Sequence, residues 1–190
     1  MWLVVGLGNP GDDYAATRHN AGFKLVRRLA SAWGVTLRGR AFHAKSASVR
    51  RGDETVLLAL PQTFMNRSGV AVREIMAGRE IPPGRLIVVY DDLDIPLGEI
   101  RVRAKGRPGT HKGMCSIDAE IHTREFARIR IGIGPLPDGR DASDYVLAPF
   151  GKDERTLFDR SLEAAEAAVD LILAGDIGQA MTRFNHRVAA

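Results

Sequence analysis

Trp2-Leu-Val-Val-Gly6-Leu7-Gly8-Asn9-Pro10-Gly11 opens the chain, and its reading decides the fold. A short apolar run ending in glycine suits a buried strand, and Asn9-Pro10-Gly11-Asp12 is turn chemistry that ends it. A helix is predicted next, over Ala21 to Trp33. Phe23, Val26, Leu29, Ala30 and Trp33 share one face at three- and four-residue spacing, and Gly34 stops the run. Strand, turn and helix in that order begin an open α/β sheet, where the C-terminal ends of strands face a shared crevice. Asn9 stands at that address.

Working outward, residues 36–60 read as a hairpin, Leu37–Val49 with Thr55–Leu60, turning through Arg51-Gly52-Asp53. An amphipathic helix fits Val70 to Ala77. Pro82-Pro83-Gly84 then leads into a strand, Leu86–Tyr90. Glu99–Ala104 alternates apolar and basic residues as a half-exposed strand does. A polar loop follows at 105–113, then a helix at 114–124 and a strand at Ile129–Ile133. Lys152 to Ala174 forms a long Ala/Leu/Glu-rich helix, with a shorter one after Gly178. The pattern predicts an α/β fold, a mixed, largely parallel twisted sheet with helices on both faces. No repeat or linker divides it, so residues 1–190 are expected to form a single domain.

Composition limits the function classes. At 190 residues, 45% hydrophobic and 26% charged, the chain is neither disordered nor of low complexity. The net charge is +4, and lysine occurs only at positions 24, 45, 105, 112 and 152, so arginine carries most of the positive charge. Arginine is the better phosphate fork, which favours a nucleic acid or another polyanion, although so small an excess is also common without one. The lone Cys115 excludes an intrachain disulfide and a Cys-rich zinc site. No apolar stretch reaches membrane-spanning length, and the first residues lack the basic region and cleavage site of a signal peptide. A soluble cytoplasmic protein is expected.

Gly6, Gly8 and Gly11 match G-x-G-x-x-G, a dinucleotide-binding pattern. No Asp or Glu occurs between Asp13 and Asp53 to hold a ribose, which leaves only an arginine-based NADP variant of that idea. The plainer reading is a tight turn that exposes Asn9. Thr17-Arg18-His19-Asn20 lies just before the first helix, and Asp91-Asp92-Leu93-Asp94 directly follows the strand Leu86–Tyr90. If those ends share the crevice, a carboxylate there meets His19, fixes its tautomer and raises its basicity, as a water-activating base requires. The acidic run reads equally as a solvated turn, a helix cap or a hard-cation site. No G-x-S-x-G motif supplies a nucleophile, and Cys115 sits between Met114 and Ser116 with no activating charge. His19, His43, His111, His122 and His186 are dispersed along the chain, which argues against zinc. General-base hydrolysis without a covalent intermediate is the simplest enzyme class left.

Arg101, Arg103 and Lys105 alternate along a predicted strand and so project from one face. The glycine-punctuated loop after them carries Arg107, His111 and Lys112 to a helix N-terminus, a good phosphate seat. Arg38, Arg40, Lys45, Arg50 and Arg51 on the hairpin suit an RNA contact or an ordinary solvent face equally.

Five blocks together resemble the bacterial peptidyl-tRNA hydrolase family. They are Val5-Gly-Leu-Gly-Asn-Pro-Gly11 with Tyr14, Thr17-Arg-His-Asn-Ala-Gly22, Pro61-Gln-Thr-Phe-Met-Asn-Arg-Ser-Gly69, Asp91-Asp-Leu-Asp-Ile-Pro-Leu-Gly98 and Ile129-Arg-Ile-Gly-Ile-Gly134. They span nearly the whole chain in family order. The resemblance implies hydrolysis of the ester between a peptide, or an N-blocked amino acid, and the 3′-terminal ribose of tRNA. Ribosome rescue is served by returning that tRNA to translation. It implies no cofactor, no metal, no membrane, and a cytoplasmic monomer whose partner is the acceptor end of peptidyl-tRNA. It makes His19 the general base, Asp91 the stabiliser of its basic form, and Asn9 a hydrogen-bond donor or acceptor to the peptide. Tyr14, Phe64 and Asn66 would line the substrate site, Met65 would pack nearby and Asn20 would support the His19 region. His111, Lys112, Arg103 and Lys105 fall to the tRNA. One loop departs from the family, reading Gly109-Thr110-His111-Lys112-Gly113 where Gly-Gly-His-Asn-Gly is usual. Thr110 is expected to resist a backbone shape that glycine adopts easily, and Lys112 replaces an amide with a cation that only donates.

Overall fold

The structure, a computed structural model, describes residues 1–185. In chain order the elements are β1 (Trp2–Gly6), α1 (Asp12–Ala15), α2 (Ala21–Ala32), β2 (Gly39–Ala41), β3 (Ala44–Arg51), β4 (Glu54–Pro61) and α3 (Ser68–Gly78). There follow β5 (Leu86–Pro96), β6 (Ile100–Arg103), α4 (Lys112–Ile121), β7 (Ala127–Gly134), α5 (Ala142–Val146), α6 (Lys152–Leu173) and α7 (Ile177–Phe184). The strands join one sheet in the order β2-β3-β4-β1-β5-β7-β6. The central strands β4, β1, β5 and β7 run parallel, and the flanking pairs are antiparallel.

β1 sits in the middle and is buried along its whole length. Its side chains alternate between two cores. Trp2 and Val4 join Phe23, Val26 and Leu29 of α2 with Leu162, Val169 and Ile172 of α6. Leu3 and Val5 join Val72 and Ile75 of α3 with Met114 and Ile117 of α4. Helices therefore cover both faces, as expected. Gly6 and Gly22 bring α2 against the sheet: a Cβ on Gly22 would lie 2.3 Å from the Val89 carbonyl oxygen, and one on Gly6 2.2 Å from the Gly22 oxygen. That approach lets the Phe23 amide bond the Leu7 carbonyl at 3.1 Å, satisfying a donor at the start of α2. At Gly11 the chain makes only the four-residue α1, so the phosphate-binding helix of a dinucleotide site does not form there.

Three sequence expectations need correction. The first arm of the hairpin is broken at Phe42-His43, where both residues take positive φ (56° and 52°) in a two-residue turn between β2 and β3. Asp91 to Asp94 do not follow β5 but extend it: Asp91 pairs with Ile131 and Asp92 with Gly132 before the register shifts. Lys105 lies beyond the end of β6, so it does not continue the alternation of Arg101 and Arg103. Of the histidines, His186 lies outside the described residues.

The turn Arg18–Asn20 is held from outside. Arg18 is 5% exposed, with its guanidinium stacked 4.3 Å over the Tyr145 ring. It binds both Glu154 oxygens (2.9 and 2.7 Å) and the Ala148 and Pro149 carbonyls (3.2 and 2.7 Å). Arg18→Ala leaves those acceptors partly buried and is expected to cost about 3 kcal/mol, with the partial exposure of Glu154 already discounted. For a chain of this size that corresponds to a melting temperature about 10 °C lower, readable by thermal denaturation.

Candidate active site

The ends of β1 and β5, the turn before α2 and the loop before α4 enclose a cleft of about 760 Å³. Asn9, His19, Phe64, Met65, Asn66, Asp91, Arg103, Lys105, His111 and Lys112 all line it, so the structure gathers most of the residues picked from the sequence.

Asp91 is the centre of the site. Its carboxylate is 2% exposed and lies 2.9 Å from His19 Nδ1 and 3.1 Å from His111 Nε2. Burial alone would raise its pKa, but the facing imidazoles of His19 and His111 outweigh that and hold the carboxyl well below the usual carboxylate range. The His111 tautomer is settled by geometry. Its Nδ1 accepts the Met114 amide at 3.3 Å as the N-cap of α4, so Nε2 carries the hydrogen given to Asp91. His19 turns Nδ1 to Asp91, so in the neutral ring Nδ1 carries the hydrogen and Nε2 keeps its lone pair, and no described residue bonds to Nε2. The His111 ring lies between those of His19 and Tyr90, with centroids 5.0 and 4.9 Å away.

Asn9 is held just as firmly. Its backbone N–H and carbonyl bond the Asn20 side chain at 2.8 and 2.9 Å, and its own Oδ1 accepts the Met65 amide at 2.8 Å. The oxygen is thereby assigned, and the NH₂ is the part of the amide left to donate into the cleft. Asn20 is 0% exposed and does not line the cleft; its amide holds the backbone of Asn9. Tyr14 also stands back from the cleft, edge-on to Phe64 at 6.3 Å, while Phe64 is 57% exposed at the lip. Asn66 lies in the wall, exposed.

The far wall is basic. Arg101 pairs across the sheet with Arg130, and Arg103 with Arg128. All four therefore share one face of β6 and β7. Arg130 binds Asp92 at 2.7 Å and Arg101 binds Glu99 at 2.6 Å. Arg128 is 2% exposed and anchors the loop before α4 through the Arg107 carbonyl at 2.8 Å. The sequence reading passed over Arg128 and Arg130. Their alternation in Arg128-Ile-Arg130 was the available signal, the same one that singled out Arg101 and Arg103. It also missed α5, which closes one side of the cleft with Ala142, Ser143 and Val146.

The departing loop is less strained than expected. Gly109, not Thr110, takes the positive φ (64°), so the threonine backbone is ordinary. Lys112 begins α4, exposed at the cleft, and makes no ion pair with a described residue. The dispersion of histidines along the chain does not survive folding, because His19 and His111 meet at Asp91. Among the described residues these three are the group with donor atoms close enough (within 4.8 Å) to share a metal. That closeness is already that of their mutual hydrogen bonds and carries no separate argument for an ion.

Residues 3–190 match the family model described as peptidyl-tRNA hydrolase. The chain belongs to the peptidyl-tRNA hydrolase family. Like the rest of that family, it is a hydrolase. It is 46% identical over 185 residues to the peptidyl-tRNA hydrolase of Alkaliphilus metalliredigens, covering 97% of this chain and all of that one. It is 46% identical over 186 residues to the enzyme of Chloroflexus aurantiacus, covering 97% and 99%. The crystal structure of peptidyl-tRNA hydrolase from Acinetobacter baumannii superposes with a TM-score of 0.90 at 39% identity, covering 96% of this chain and 93% of that one. A peptidyl-tRNA hydrolase crystallised with N-propanol gives 0.91 at 38% identity, over 100% and 97%.

Proposed function

We propose that this member hydrolyses the ester joining a peptide, or an N-blocked amino acid, to the 3′-terminal ribose of tRNA, with His19 as the general base. The observation that carries the reading is the His19–Asp91 pair, which turns Nε2 towards a cleft in which no described residue is an activated nucleophile. A water between Nε2 and the ester carbonyl gives its proton to His19 as its oxygen attacks the carbonyl carbon. The tetrahedral intermediate collapses, the proton passes from His19 to the departing ribose oxygen, and an intact tRNA and the peptide's carboxylic acid result, the acid losing its proton to solvent. Asp91 stabilises the imidazolium in between. The Asn66 amide, at the cleft wall, donates to the developing oxyanion, a contact worth roughly 3 kcal/mol when well placed.

Two further features support the substrate. The Asn9 NH₂ can donate to a peptide carbonyl but has no lone pair to offer an ammonium, so a blocked amino group is favoured over a free one. Arg103, Lys105 and Lys112 offer cations to the phosphates of an acceptor strand. No step calls for a cofactor or metal, and we place the protein, acting as a monomer, in the cytoplasm beside translation.

The test is release of an N-acetylated amino acid from charged tRNA, run beside the unacetylated aminoacyl-tRNA. Cleavage of the blocked substrate alone is expected. Binding of tRNA with no cleavage of either would overturn the reading in favour of a non-cleaving RNA binder.

A further inference from the structure

β6 is the last strand of the sheet, so its outer edge has no strand beside it. At Val102 that edge is closed by a side chain instead. Asn185, the residue after α7, accepts the Val102 N–H on Oδ1 at 2.8 Å and donates Nδ2 to the Val102 carbonyl at 3.0 Å. One carboxamide thus supplies the donor and acceptor that a neighbouring strand would supply there. The Val102 carbonyl has a second donor, because Arg103 Nη1 lies 3.2 Å from it. Two donors, one from the C-terminal helix and one from the cleft wall, meet on a single oxygen of a residue that is 0% exposed.

Arg103 differs from its neighbours. Arg101 is tied to Glu99, Arg130 to Asp92 and Lys105 to Glu125, whereas Arg103 makes no ion pair with a described residue. Its recorded polar contact is the carbonyl of its own neighbour. A guanidinium that must reach a phosphate has to leave that oxygen. If nothing else donated to it, leaving would strand a buried acceptor, and the carbonyl would hold the arginine back.

We infer that Asn185 is a positioning residue for tRNA binding, which keeps the Val102 carbonyl satisfied so that Arg103 is free to move to a phosphate. The inference rests on the reading above, in which the basic wall takes the acceptor strand. It ties the end of α7, which does not line the cleft, to substrate affinity and not to the chemical step.

The experiment measures kcat and KM for N-acetylated aminoacyl-tRNA across a range of salt, for Asn185→Ala, Arg103→Ala and the double variant, with melting temperatures throughout. Asn185→Ala is expected to raise KM about three- to ten-fold with kcat within about two-fold of wild type. Arg103→Ala is expected to raise KM and to lower the salt slope by about one. In the Arg103→Ala background, Asn185→Ala should add nothing to KM, a coupling that general destabilisation would not produce. If the two effects on KM simply multiply, the inference fails while the basic wall stands. If Arg103→Ala alone leaves KM and the salt slope unchanged, the wall itself is misassigned and the inference falls with it. Asn185→Asp provides a second arm should the alanine variant not fold. Its carboxylate accepts the Val102 N–H, cannot donate to the carbonyl, and sets an acid beside Arg103. Its KM should exceed that of Asn185→Ala, or that of wild type where the alanine variant is lost, and a KM at or below that reference would overturn the assignment.

Discussion

Replacing His19 by alanine is expected to lower kcat on blocked aminoacyl-tRNA by a factor on the order of 10² to 10⁴ while leaving tRNA affinity near wild type. The lost group is the Nε2 lone pair that the Asp91 bond turns towards the cleft. The cations proposed to meet the RNA belong to β6, the loop after it and the first residue of α4, so binding should survive. The fold should survive too, since Asp91 keeps His111 as a partner at 3.1 Å. Single-turnover cleavage, with a parallel binding isotherm and a melting curve, separates the three quantities. Wild-type turnover in this variant would remove His19 from the reaction.

Asp91→Asn should be nearly as damaging, for a different reason. Two imidazoles share one carboxylate: Oδ1 lies 3.0 Å from His19 Nδ1 and 3.1 Å from His111 Nε2, and Oδ2 lies 2.9 Å from His19 Nδ1. His111 cannot yield, because the Met114 amide occupies its Nδ1 and fixes the hydrogen on Nε2. The asparagine NH₂ takes the place of Oδ2, 2.9 Å from His19 Nδ1, and favours the tautomer in which Nδ1 accepts and the hydrogen sits on Nε2, the atom that must take a proton from water. A loss on the order of 10³ to 10⁴ in turnover is expected, as for a catalytic histidine held in the wrong tautomer. Turnover within ten-fold of wild type would mean that the tautomer is set elsewhere. Because the folded-state pKa of Asp91 is depressed, its contribution to stability is complete above the ordinary carboxylate range, declines as pH falls through that range and is gone only in strong acid. Any activity lost in weak acid therefore has another source than protonation of Asp91.

Much of this was written in local patterns. The apolar run at residues 2–6 and the 3.6-residue periodicity from Ala21 declare a buried strand and an amphipathic helix without outside help. Asn9, His19 and Asp91 were identifiable because strand ends in an open α/β sheet converge. What escaped depended on long-range packing. Nothing in the sequence around Asn20 says that its amide will clasp the backbone of Asn9. Arg128 looks like any charged strand residue until the loop before α4 buries it. The β5 strand runs on through three aspartates because β7 and Arg130 meet Asp92, a pairing that no acidic run announces by itself. The break at Phe42-His43 was hidden because neither residue is a usual left-handed turn former.

The four residues from Thr17 to Asn20 point to four separate parts of the chain. Thr17 bonds the Tyr14 carbonyl, Arg18 the 148–154 segment, His19 the carboxylate of Asp91 and Asn20 the backbone of Asn9. Each connection relies on a different direction of projection from a single tight turn. Deleting or inserting one residue there would rotate all four at once and sever every connection together. The turn works like the bitting of a key: its order cannot be shuffled piecemeal, and a catalytic centre transplanted to another scaffold would have to carry the whole run along with the four surfaces that read it.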